Sequence, residues 1–186
     1  MERTQTHRRW SAVATGVATA LAACCGSGGG AAQPDDDAAA FLGADAVAIL
    51  ATPDRVESFR VVRPLDRPID PAKAIAGVER IAGGPLLDAA QMALVRDLLF
   101  ADESYEFEIA KGCVPVPGVL LRAWQGGRHA DLYLCFECLM WSVTVDTPAD
   151  RFPPGNEWED FDPVSRRLAA LVKALFPADA AIQALR

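Results

Sequence analysis

Between residues 119 and 145 the chain reads as three consecutive strands, and this stretch limits the possible folds more than any other. Residues 119–124 pair naturally with 130–136 across Gln125-Gly126-Gly127-Arg128, a four-residue hairpin turn with a central Gly-Gly. Residues 139–145 then supply the next strand of an antiparallel meander. The Cys-x-x-Cys formed by Cys135 and Cys138 falls at the second junction, and Cys113 precedes the first strand in a stiff loop containing Pro115 and Pro117.

Elements upstream and downstream supply partners for that sheet. Residues 38–50 form an Ala-rich helix broken near Gly43, and after Pro53-Asp54 residues 56–62 alternate as a strand does. A second strand covers residues 74–81 and ends at Gly83-Gly84-Pro85. Asp88 and Gln91 make a capping box for a helix carrying Met92, Val95, Leu98 and Leu99 on one face. Tyr105, Phe107 and Ile109 alternate with acids, which predicts another strand. Near the end, Asp162 and Pro163 open a helix with Val164, Leu168, Leu171, Val172 and Leu175 as its apolar stripe, stopped by Pro177. The expected architecture is α+β: an antiparallel sheet with a C-terminal meander and two main helices packed on one side.

The first 23 residues have the form of an export signal: Arg3, Arg8 and Arg9, then an uncharged apolar run from 10 to 22. That run is shorter than the roughly 20 apolar residues needed to cross a bilayer. Leu21-Ala22-Ala23-Cys24 resembles the bacterial lipoprotein signal, which implies cleavage before Cys24 and lipidation of that cysteine. Soluble cleavage after Ala20-Leu21-Ala22 is the competing reading. Each buried acyl methylene contributes about 0.8 kcal/mol to anchoring. Residues 24–37, rich in Gly and ending in Asp35-Asp36-Asp37, read as a flexible tether, and 38–186 as one domain. Because Cys25 rather than Asp follows Cys24, the lipoprotein resemblance implies the outer membrane, with the protein facing the periplasm.

Removal of residues 1–23 takes away three Arg and one Glu, leaving 15 basic and 24 acidic side chains, a formal charge of −9. The basic residues are scattered, which excludes the clustered basic face that nucleic acid requires. The expected partners are therefore the membrane, through the lipid anchor, and a ligand the sequence does not name.

The cysteines leave three readings open. An oxidising compartment favours a structural disulfide from Cys113 to Cys135 or Cys138, contributing about 3 kcal/mol. On a straight strand Cys135 and Cys138 would lie roughly 10 Å apart on opposite faces, so they meet only if Phe136-Glu137 turns. A thiol redox site would use the same residues, although the strand-like sequence after Cys138 lacks the helix that lowers a thiol pKa in thioredoxin-like proteins. Zinc, the one cofactor the residues admit, would take Cys113, His129, Cys135 and Cys138 as a Cys3His set.

Other catalytic patterns are sparse. After signal removal His129 is the sole histidine; Asp131 shares its strand face, and Ser104 or Ser142 would have to approach through folding. Glu106 and Glu108 form a candidate carboxylate pair, with an exposed polar face as the simpler explanation. Trp124, Tyr133 and Trp141 could line a groove or fill the core. No nucleophile elbow, phosphate loop, zinc-protease helix or calcium loop occurs. The residues therefore point away from catalysis and toward a binding or structural module.

Cys113-x-x-x-Pro117-Gly118-Val119, followed by Leu132-x-Leu134-Cys135-Phe136-Glu137-Cys138, resembles a group of small exported bacterial proteins without established activity. Asp160-Phe161-Asp162-Pro163 and Leu175-Phe176-Pro177-x-Asp179 extend the resemblance over the second half of the chain. It implies that the three cysteines act as a set.

Overall fold

The computed structural model describes residues 32–154 and 157–186. The expected signal peptide, Cys24 and Cys25 lie outside the described residues. Seven strands form one antiparallel sheet in the order β2-β3-β1-β4-β5-β6-β7. They are β1 (Arg55–Val62), β2 (Ala74–Ile75), β3 (Val78–Gly83), β4 (Val119–Gln125), β5 (Arg128–Cys135), β6 (Met140–Val145) and β7 (Glu159–Asp160). The helices are α1 (Asp36–Ala51), α2 (Ala89–Phe100), α3 (Ser165–Leu175) and the short α4 (Ala180–Gln183). This is the α+β architecture expected, with β4, β5 and β6 as the meander.

Strand alternation divides the core in two. Val119, Leu121, Ala123, Leu132, Leu134 and Trp141 face α1, α2 and α3, whose Ile49, Leu99 and Leu168 bury against them. Leu120, Tyr133, Cys135 and Met140 point the other way, where Val61, Val78 and Trp158 meet them. Among the described residues no helix covers this second face; the loop after β6 does. Phe152 stacks on Trp158 at 5.6 Å between centroids, and both rings pack on Tyr133. The helices thus lie on one side as expected, three long ones rather than two.

Turn chemistry sets the register. Gly126 and Gly127, at φ 56° and 91°, make the two-residue turn between β4 and β5. The expected single strand 74–81 is instead a hairpin, because Ala76 and Gly77 also adopt positive φ and fold β2 onto β3. Gly77 donates from its N–H to the Ala149 carbonyl at 2.7 Å, and a Cβ there would run into the backbone of Arg151 and Phe152. This close approach anchors the loop over the second face.

Two expectations along the chain are corrected. Residues 105–109 form no strand: after a 3-10 turn at Asp102–Ser104, Tyr105 inserts into the helix-side core, its hydroxyl donating to the Leu99 carbonyl at 2.6 Å. Burial of one ring prevails there over alternation. The domain also begins before residue 38. Asp35 stands at the N-cap position of α1 without a side-chain capping bond, donates its backbone N–H to the Phe100 carbonyl and accepts from the Asp102 N–H, while Asp36 and Asp37 form the first turn of α1. Those acids, still exposed, complement the helix dipole. Gly43, at φ 74°, breaks α1 where the sequence predicts. The last helix opens as a 3-10 turn over Asp162–Val164, so α3 proper starts at Ser165.

Candidate functional site

The cysteine corner lies at the end of the sheet where β5 turns into β6. Residues 136–139 form that turn, with Leu139 in the left-handed region at φ 52°. The turn carries Cys138 to Cys113: the two form a disulfide with Cα atoms 5.9 Å apart, tying the proline loop to the meander. Cys138 is buried while Cys113 is exposed, so the bridge is open to solvent from one side. Cys135 is a fully buried free thiol whose Sγ accepts from the Val116 N–H at 3.3 Å. The second face uses it as a small apolar residue.

The Cys3His set does not assemble. His129 and Cys135 stand near opposite ends of β5, six residues and roughly 20 Å apart. Two of the three thiols are moreover consumed by the disulfide. His129 instead belongs to a polar row on the second face. Its Nε2 lies 3.3 Å from Asp131 Oδ2, and Arg122 grips Asp131 with two hydrogen bonds of 2.7 and 2.9 Å. Trp124 packs between His129 and Arg55 and donates from Nε1 to Glu57 at 3.0 Å. Neither candidate serine joins His129 and Asp131. Ser142 pairs with Tyr133, four residues and about 13 Å along β5 from His129, and Ser104 is buried on the helix side. Tyr133 and Trp141 are fully buried on opposite faces, so with Trp124 they line no common groove.

Glu106 and Glu108 also part company. Glu106 joins Asp160 and Asp162, whose carboxylates lie within 4.8 Å of its own. Lys111 sits in that group, bonded to Asp160 at 2.5 Å, Asp162 at 3.2 Å and the Cys138 carbonyl at 2.9 Å. Desolvation works against its charge, but the hydrogen bonds to Asp160 and Asp162 prevail and hold the ammonium above the ordinary lysine range. Lys111 thereby clamps the disulfide loop to β7.

Glu108 lines a cleft of about 820 Å³. The outer edge of β6 forms its floor, with Phe41 of α1 and Phe107 in one wall and Arg151, Pro153 and Glu157 in the other. Five carboxylates line it, those of Asp37, Glu108, Asp146, Glu157 and Glu159, against one guanidinium, that of Arg151. Burial, then the neighbouring Asp160, raises the pKa of Glu159 above its ordinary value. The volume falls within the range of small-ligand sites. Sequence reading missed the cleft because its residues come from five separate stretches; alternation in 140–145 was the one available signal.

The fold and these sites define the chain as an α+β domain with a disulfide-braced meander and an acidic cleft along one sheet edge. Comparison with protein-family models, with curated proteins and with solved structures finds no match to it.

Proposed function

We propose that the protein is an exported lipoprotein, anchored through Cys24 in the cell envelope at the outer membrane and facing the periplasm, whose domain is a non-enzymatic binding module. The Cys113–Cys138 disulfide carries this reading. A bridge joining a loop to a turn across 25 residues belongs to an oxidising compartment, which is where the basic, apolar and Leu-Ala-Ala-Cys segments would deliver the chain. The acidic cleft supports binding over a purely structural role.

The test is the mature amino terminus. Expressed in a bacterial host, the chain should begin at Cys24 with added acyl mass and sediment with membranes, and Cys24→Ala should move it to the soluble fraction. An unacylated start elsewhere, with unchanged fractionation of the variant, overturns the lipoprotein reading.

A second reading, thiol redox work by Cys113, Cys135 and Cys138, has one observation in its favour: the exposure of Cys113. Against it stands Cys135, fully buried with its Sγ accepting from the Val116 N–H, whereas a working thiol must be reachable. Reduction of the native bridge by glutathione on the timescale of catalysed exchange would favour redox work; reduction only after unfolding would remove it.

A further inference from the structure

The backbone of β6 explains what the acidic cleft is shaped to receive. In an antiparallel ladder each residue turns its N–H and C=O to the same neighbour, and successive residues alternate between neighbours. The Asp146 N–H donates to the His129 carbonyl at 2.9 Å, so Asp146, Thr144 and Ser142 bond to β5. Trp141, Val143 and Val145 therefore turn outward. Trp141 is paired with Glu159 of β7, and the Phe161 N–H reaches the Leu139 carbonyl at 2.8 Å. That outer partner spans only Glu159–Asp160. Beyond it, Val143 and Val145 have no backbone partner among the described residues, leaving four ladder groups facing the cleft.

Sheet proteins ordinarily blunt such an edge with a bulge, a proline or a covering segment. Here the edge is recessed instead, between α1 and the loop after β6, so it meets a slender strand more easily than another sheet. We propose that the cleft binds an extended peptide segment of alternating apolar and basic residues, added as a strand to the outer edge of β6. Peptide addition to a sheet edge draws its affinity from main-chain hydrogen bonds and its selectivity from alternate side chains. Val143 and Val145 pack toward the helix-side core beside Phe41 and Phe107, and Glu159, paired with Trp141, lies on that side with Asp37 and Glu108. Lysine or arginine of the added strand therefore lays its stem on the rings there and its charge on the carboxylates. The intervening positions turn the other way, toward Arg151 and an Asp146 already bonded to Arg128, and take uncharged apolar residues. A second copy of this chain fits poorly, because joining two such edges would bring their carboxylates together. This deepens the binding-module reading and rests on it.

The probe is a capped heptapeptide alternating lysine and valine, titrated into the full exported chain with amide hydrogen exchange followed on the protein. The inference expects saturable binding, slowed exchange at the Val143 and Val145 amides, and at least tenfold weaker binding of both a glutamate-valine counterpart and a backbone N-methylated lysine-valine peptide. Val145→Pro removes an outward N–H without touching the ladder to β5, and should weaken binding at least tenfold. Glu108→Lys, on an exposed loop, gives an independent loss if the proline variant unfolds. Equal binding of the two charge patterns, binding without protection of Val143 and Val145, dimerisation of the free chain through this edge, or no binding at millimolar peptide would each overturn the proposal. None of these results alters the mature amino terminus or the disulfide, so they fail separately from the lipoprotein reading.

Discussion

Replacing Cys113 and Cys138 together by alanine removes the one covalent link between the proline loop and the β5–β6 turn. The double change matters, since a single change would leave one of these thiols free to pair with Cys135. The bridge closes a loop of 25 residues. Its loss restores that loop's freedom to the unfolded chain, which in the chain-entropy account amounts to about 3.5 kcal/mol at 25 °C. For a chain of this size about 3.5 kcal/mol corresponds to a fall in Tm of roughly 7–14 °C. Native contacts change little because Cys113 is exposed and Lys111 still ties the loop to Asp160, Asp162 and the Cys138 carbonyl. Urea unfolding of the exported chain, with and without reductant, measures the effect. The reduced wild type should converge on the double variant, and only the oxidised wild type should stand apart. A difference below about 1 kcal/mol between oxidised wild type and variant would refute the bracing role.

Arg122→Met leaves Asp131, fully buried, without its bidentate partner and should cost about 3–5 kcal/mol in urea unfolding; adding Asp131→Leu should recover most of that loss. Gly77→Ala forces a side chain into positive φ and against the Arg151–Phe152 backbone, so a loss of at least about 2 kcal/mol is expected, with increased exposure of Trp158 read by fluorescence. Arg67 and the Asp70 N–H hold the Glu79 carboxyl down to about 2. A depressed carboxyl contributes stability that is fully present above its unfolded value of 4.5 and is lost as pH falls toward about 2. Glu79→Gln should therefore flatten the acid limb of stability within that window, and an unchanged acid limb would count against the ion pair.

Local sequence determined the meander, the capping box on α2, the break in α1 at Gly43 and the apolar stripe of α3. Each is written in contiguous residues: alternation, a Gly-Gly turn, an Asp-x-x-Gln cap, a helical period. The pattern failed at 105–109, where alternation signals a strand but burial of Tyr105 among the helices is the stronger demand. It failed also at Asp35, Asp36 and Asp37, which are solvated as their acidity suggests but belong to the start of α1 and not to a tether. Sequence bound Cys113 to the Cys135/Cys138 pair without choosing between them. The choice fell to Cys138 because Leu139 takes a left-handed turn and swings its neighbour out to the proline loop, while Cys135, still on β5, stays packed on the second face. The cleft was decided by tertiary structure alone. A strand does not encode which of its edges lacks a partner; that depends on β7 spanning only two residues and on where α1 and the loop after β6 come to rest.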